Sequence, residues 1–133
     1  MPDGRNTQSE FNGNGESAAS PAYPEWFLQR GLRFAELLIS IDKGASREVA
    51  KQIIHKNSNV VFVTGRVNVV ANVMAEVYFS DSRMLRNIIE DIKSLPNVSR
   101  VEFTEMVEVF GRRDDKQVEE DATKLVKSSG REW

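Results

Sequence analysis

Residues 68–79 read NVVANVMAEVYF, and the alternation along this stretch decides the fold. Successive side chains of a strand point to opposite faces, so every second residue shares a face. The pattern predicts one long strand. The residues of its apolar face are Val69, Ala71, Val73, Ala75, Val77 and Phe79. The tetrapeptide Asn-Val-x-Ala occurs twice, at 68–71 and 72–75, and a repeat of even length keeps every side chain on its face. The repeat therefore lengthens the strand, or moves a hairpin turn, without disturbing the core.

Apolar runs on both sides of this stretch predict the other strands. RFAELLISID at 33–42 alternates as a strand does, although Ala-Glu-Leu-Leu also suits a helix. The Val-rich run at 59–67 predicts a second strand, and 98–110 predicts the last one. The residues expected on single faces are Ala35, Leu37, Ile39 and Ile41 in the first of these strands, and Val101, Phe103, Val107 and Val109 in the last.

Two amphipathic helices are predicted between the strands. Ser46 is expected to cap a helix over 47–57, and Asp81 or Ser82 to cap a second helix that stops at Pro96. The apolar positions at helical spacing are Val49, Ala50, Ile53 and Ile54 in the first helix, and Met84, Leu85, Ile88, Ile89, Ile92 and Leu95 in the second.

The predicted order β-α-β-β-α-β is the ferredoxin-like α+β arrangement, a four-stranded antiparallel sheet with two helices on one face. The other face of that sheet would carry Phe34, Leu38, Val70, Met74, Tyr78, Met106 and Phe110. An apolar surface of this kind usually marks an interface, so we expect a homodimer or higher homo-oligomer. The expected dimer-interface residues are Leu38, Val70, Met74, Tyr78 and Met106.

Composition limits the class of protein. The 133 residues carry a net charge of −2, so no global basic footprint for nucleic acid is present, and the absence of cysteine excludes disulfides. No run approaches the roughly 20 apolar residues of a membrane span, which predicts a cytoplasmic protein without membrane contact. Residues 1–23 are polar and predict a disordered tail before a domain at 24–111. A charged tail at 112–133 holds a weakly amphipathic helix, expected near 114–127.

Three short motifs follow one another in an order that resembles a known family. PEWFL at 24–28 leads into the first strand, VTG at 63–65 ends the second, and SLPNV at 94–98 precedes Glu102 and Thr104. Together they resemble the effector-binding domain of the Lrp/AsnC transcription regulators over about residues 24–111. The resemblance implies the ferredoxin-like fold and a role in transcription regulation.

The sequence departs from that family in three places. The family's N-terminal helix-turn-helix domain is replaced by the polar tail, so no direct DNA binding is expected, and regulation would require full-length Lrp/AsnC relatives as partners. Asn97 stands where the family usually has glycine. The family's T-G-x-x-D hairpin has Asn68 in the last position, and Asn72 repeats it about four residues later.

The resemblance implies a small-molecule effector, often an amino acid, bound near that hairpin. Gly65 is expected to permit positive φ, Arg66 to hold a carboxylate and Asn68 to accept from an ammonium group. The alternative is a plain turn with a solvated arginine. The full set of expected ligand-binding residues is Thr64, Gly65, Arg66, Asn68, Asn72 and Thr104.

Catalytic signals are few. His55 is the only histidine, and its place on the first predicted helix favours a surface residue over a catalytic base. Glu102, Glu105 and Glu108 alternate along the last strand, which favours a solvated strand over a metal site. We therefore expect no enzyme, no metal and no cofactor. An enzyme subunit or an ACT-like allosteric module on the same fold stays open as the alternative.

Overall fold

The computed structural model describes residues 23–67 and 70–128 of the chain. The predicted disordered tail therefore lies outside the described residues, apart from Tyr23, as do Asn68 and Val69 in the repeated stretch. The helices and strands, in chain order, are α1 Glu25–Leu28, β1 Arg33–Ile41, α2 Ser46–Lys56, β2 Val60–Gly65, β3 Val73–Phe79, α3 Ser82–Lys93, β4 Val98–Met106 and α4 Asp115–Ser128.

The four strands form one antiparallel sheet in the order β2-β3-β1-β4. Helices α2 and α3 pack on one face of it, and the predicted ferredoxin-like fold is confirmed. The alternate residues predicted for the core faces of β1 and β3 are buried there, since Leu37, Ala75 and Phe79 are all 0% exposed. Val49 and Ile53 of α2 and Leu85, Ile88 and Ile92 of α3 complete this core.

Two bulges adjust the edge strands to this core. The register shifts between Val60 and Phe62 in β2, so that Val60 and Val63 both reach the helical face despite their odd spacing. A second shift at Ser40 and Ile41 does the same for Val98 and Val101 of β4. The predicted strand 98–110 is too long, because pairing ends at Met106 and Val107 is 78% exposed.

The long strand predicted through the repeat is also wrong, because β3 begins only at Val73 and β2 ends at Gly65. The Asn72 side chain explains the start of β3. Its Oδ1 accepts from the Ile41 N–H at 3.0 Å, and its Nδ2 donates to the Ile41 carbonyl at 2.9 Å. The Asn72 side-chain amide thus bonds to Ile41 of β1 where a continuing strand would bond through its backbone. Strand β3 therefore begins within the second copy of the repeat, at Val73.

The helix caps agree only partly with the prediction. Asp81 Oδ1 accepts from the Met84 N–H at 2.9 Å and caps α3. Ser46 does not cap α2, since the helix begins at Ser46 itself and Ala45 holds the cap position without a side-chain hydrogen bond. Asn97 has φ of 72°, a left-handed conformation that asparagine tolerates better than other residues with side chains. This explains why asparagine can stand in the place of the family's glycine.

Several apolar positions lie outside the core. Ile54 and Met84, predicted on the apolar helix faces, are 44% and 36% exposed. Helix α4 occupies the predicted region, but none of its residues is buried, and Leu125 is 71% exposed. Among the described residues no helix is long and apolar enough to cross a membrane.

Candidate functional site

The face of the sheet opposite α2 and α3, here called the open face, carries the candidate site. The β1–β3 register places Phe34, Glu36 and Leu38 beside Tyr78, Glu76 and Met74 on this face. The β1–β4 register adds Met106, Thr104, Glu102 and Arg100, and β2 adds Phe62 and Thr64. Of the predicted interface set, Leu38 and Met106 are half-buried, Met74 is buried and Val70 is 53% exposed.

Helix α1 covers one end of the open face. The Phe27 ring is 5% exposed and stacks on the rings of Phe34 and Tyr78, at centroid distances of 5.5 Å and 4.8 Å. Tyr78, predicted at the dimer interface, is therefore covered by the chain's own N-terminal segment at this end. Phe110, predicted on the same face, lies beyond the end of β4 and is 92% exposed.

Two ion pairs hold this end of the sheet together. Arg112 donates to both carboxylate oxygens of Glu25, at 2.9 Å and 2.8 Å, and to the Tyr23 carbonyl at 3.0 Å. Arg33 donates to both oxygens of Glu105, at 2.7 Å and 2.8 Å. These hydrogen bonds lower the pKa of the Glu25 and Glu105 carboxyls, so both stay charged at more acidic pH than an unpaired glutamate does. The segment that follows β4 is thereby attached to α1.

A pair of carboxylates lies in the uncovered middle of the open face. Glu36 and Glu76 are direct partners across β1 and β3, an arrangement in which like charges oppose strand pairing. Burial, and then the charge of Glu36, raises the pKa of the Glu76 carboxyl, while Arg66 acts in the opposite direction. The repulsion between these carboxylates makes the energy of the open face depend on whether Glu76 is charged and on whether another surface covers it.

The residues predicted to bind a ligand do not all come together. Arg66 Nε donates to Thr64 Oγ1 at 3.0 Å, so these two form one group at the end of β2. Thr104 lies on β4 at the opposite edge of the sheet, three strand spacings or roughly 14 Å away. Gly65 does not adopt the expected positive φ, and a Cβ added there would meet nothing within 4 Å. Asn68 lies outside the described residues.

Asn72 has its polar atoms engaged inside the fold. Besides its two bonds to Ile41, Nδ2 donates to Ser46 Oγ at 3.1 Å. The side chain joins β1, β3 and the start of α2. Its predicted role toward a ligand would compete with these bonds.

Replacing Asn72 should therefore weaken the fold. We expect Asn72→Ala to lower the free energy of unfolding by roughly 2 kcal/mol, because it leaves the Ile41 N–H and carbonyl without their partners. Asn72→Asp should also destabilise, since it places an oxygen against the Ile41 carbonyl. Urea unfolding followed by circular dichroism measures both, with Asn87→Ala on the exposed surface of α3 as the control. Equal stabilities of the Asn72→Ala and control variants would disprove this role.

The structure assembles no catalytic group from the residues it describes. His55 is exposed in the last turn of α2. Glu105 is engaged by Arg33, and Glu108 lies beyond the end of β4. Within residues 23–67 and 70–128, no group of three or more histidine, aspartate or glutamate side chains is placed to hold a metal ion.

Sequence reasoning missed two features of this site. In the sequence the PEWFL motif only leads into the first strand, and that pattern does not predict that Phe27 docks on Phe34 and Tyr78. The opposition of Glu36 and Glu76 depends on the register between two strands that are far apart in sequence, which the pattern of each strand does not contain.

The fold is shared with solved structures of Lrp/AsnC transcription regulators, and the predicted resemblance is confirmed at the level of the fold. The transcriptional regulator NMB0573 from Neisseria meningitidis, solved in complex with L-Met, is similar with a TM-score of 0.57 and 18% identity, over 71% of this chain and 60% of that one. AsnC from E. coli has a TM-score of 0.58 and 13% identity, over 74% and 65% of the two chains.

The similarity extends to a much shorter protein. TTHA0845 from Thermus thermophilus has a TM-score of 0.53 and 22% identity, over 60% of this chain and 99% of that one. The chain thus spans less than two thirds of the two longer proteins but nearly all of this one. No family model and no curated protein matches the sequence.

Proposed function

We propose that this chain is a small-molecule-binding and self-associating domain of a transcription regulator of Lrp/AsnC type. The open face carries the proposal, because it leaves Leu38, Phe62 and Val70 at least partly exposed on a sheet whose other face packs against α2 and α3. A second copy of the chain would cover these apolar side chains. Regulation would then act through this association.

The comparison with NMB0573, which was solved in complex with L-Met, supports an amino acid as the effector class. We propose an amino acid as the effector, held near the end of β2 by Thr64, Gly65, Arg66 and Asn68. The geometry that supports this site is the Arg66–Thr64 group, in which the Nε bond fixes the guanidinium beside an exposed strand end. A fixed guanidinium can bind a carboxylate through two parallel hydrogen bonds.

Calorimetry with apolar L-amino acids, L-methionine first, tests the binding. We expect Arg66→Ala to weaken the affinity of this site roughly tenfold or more, the usual effect of losing a hydrogen bond to a charged group. Arg86→Ala, an exposed arginine of α3, is the matched control and should bind as the unchanged chain does. Binding by none of the amino acids would overturn the proposed effector class.

The carboxylate pair predicts a pH dependence of self-association. Burial in the folded chain raises the pKa of Glu76, so its charged form costs stability above that pKa, and this cost is lost as the pH falls below the ordinary value of 4.5. We expect a second copy on the open face to add to this burial and so to the cost. Glu36 and Arg66 are the charged groups that act on the Glu76 carboxyl. Association should therefore strengthen as the pH is lowered toward 4.5.

Glu76→Gln should remove most of this dependence. We expect it to strengthen association roughly tenfold at about pH 7.5 and to have a smaller effect near pH 4.5, because more of the native carboxyl is then protonated. Sedimentation equilibrium at both pH values measures the effect. Glu48→Gln, exposed in the first turn of α2, serves as the control. If the two variants shared one pH profile, the carboxylate pair would not lie in the interface.

A further inference from the structure

A cavity of about 240 Å³ lies at the end of the open face that α1 leaves uncovered. Its lining combines β1, β4 and the segment before β3, and consists of Leu38, Ser40, Val70, Ala71, Arg100 and Glu102. Pockets for drug-sized ligands are usually about 300–1,000 Å³, so this one suits a single small metabolite and is too small for a nucleotide.

The walls of the cavity differ in chemistry. Leu38, Val70 and Ala71 give an apolar side, and Ala71 is only 6% exposed. Arg100 and Glu102 give a charged side, because residues two apart on β4 share a face and stand opposite Ser40 and Leu38 of β1. The Ser40 hydroxyl donates to the Val70 carbonyl and fixes that segment against β1.

Arg100 and Glu102 form an ion pair with each other at the mouth of the cavity. Their side chains are 60% and 45% exposed, and an ion pair so exposed contributes little to stability because water competes for both partners. The pair can therefore open at little cost when a ligand offers each partner an opposite charge. A phosphate would be repelled by Glu102, and a simple cation would be repelled by Arg100.

We infer that this cavity binds a small zwitterion with an apolar side chain, an amino acid in its free form. Its carboxylate accepts hydrogen bonds from Arg100, its ammonium group donates to Glu102, and its side chain lies against Leu38 and Ala71. Both polar contacts are charge-assisted hydrogen bonds, so the ligand replaces the exposed Arg100–Glu102 ion pair with two ion pairs of its own. The site is separate from the Arg66–Thr64 group, which lies on the opposite edge strand of the sheet.

The inference rests on the proposed function, since it takes the same effector class and places a further site for it on the open face. A second copy covering that face would contact the rim of the cavity. By linkage, the bound amino acid and the second copy must then alter each other's affinity by the same factor.

Calorimetry in the Arg66→Ala background separates the two sites. We expect one equivalent of L-methionine, L-leucine or L-isoleucine to bind to the Arg66→Ala chain. Adding Arg100→Gln or Glu102→Gln should weaken that binding at least tenfold. N-acetyl-L-methionine, which lacks the ammonium group, and L-methionine amide, which lacks the carboxylate, should each bind at least tenfold more weakly than L-methionine. Both replaced side chains are exposed, so unchanged circular dichroism is expected and checks the fold.

The possible outcomes distinguish a failure of the cavity site from a failure of the proposed function. If the unchanged chain binds an amino acid but the Arg66→Ala chain does not, the cavity is not a site and the proposed function stands. Binding that survives in Arg66→Ala and is insensitive to Arg100→Gln and Glu102→Gln also overturns the cavity. If no amino acid binds the unchanged chain, the proposed effector class and the cavity site both fail.

Discussion

Leu38→Lys should abolish self-association at concentrations where the unchanged chain is dimeric or larger. Leu38 lies on the central strand β1, opposite Met74 on one side and Glu102 on the other, so a second copy stacked on the open face would bury it. Burying an ammonium group there, even beside the Glu102 carboxylate, costs about 3 kcal/mol of desolvation, which corresponds to a weakening of roughly a hundredfold or more.

The matched control is Ile54→Lys. Ile54 is an apolar side chain of α2 that is 44% exposed, but it lies on the helical layer away from the open face. Sedimentation equilibrium of the three chains, together with thermal melts, compares their association and their folds. A Leu38→Lys chain that folds and associates like the control would show that the copies meet through another surface.

Phe27→Ala should produce the largest loss of stability among the substitutions considered. The Phe27 ring contacts Tyr23, Phe34 and Tyr78, with centroid distances between 4.8 Å and 5.5 Å, and it is 5% exposed. Removing a buried phenylalanine costs about 3–5 kcal/mol, a large part of the roughly 5–15 kcal/mol that stabilises a typical domain. The substitution would also uncover Phe34 and Tyr78 on the open face.

Because association changes apparent stability, the comparison belongs in the monomeric Leu38→Lys background. Trp26→Ala is the control from the same helix, since Trp26 is only half-buried and meets Phe27 edge to face. Urea unfolding followed by circular dichroism should show a much smaller loss for the control, about 1 kcal/mol. A loss below about 1 kcal/mol for Phe27→Ala would mean that α1 does not dock on the sheet in solution.

Local patterns were sufficient to predict most of the sheet and its core. The alternation in β1 was predicted at 33–42 and is observed at Arg33–Ile41, because burial on one face imposes a period of two on the sequence. The period of α3 was likewise visible, and four of its six predicted apolar positions are buried: Leu85, Ile88, Ile92 and Leu95.

Features that depend on single residues or on long-range register could not be predicted. The Asn72 side-chain amide bonds to Ile41 in place of a strand backbone, so the apolar alternation of the sequence starts before Val73, where β3 itself begins. The separation of Thr104 from Thr64 depends on strand order, which places them on opposite edges of the sheet. The expected ligand-binding residues therefore lie at two edges of the sheet, and the sequence pattern does not predict the cavity beside Arg100 and Glu102.

The central claim is that copies of this chain associate through the open face, and the mass of the unchanged chain tests it most directly. Light scattering coupled to size exclusion, over a range of concentrations and with and without L-methionine, gives that mass. We expect at least a dimer. We also expect its mass, or the concentration at the midpoint of its association, to shift when L-methionine is present. A monomer at every concentration, with and without the amino acid, would contradict self-association and its proposed dependence on the effector.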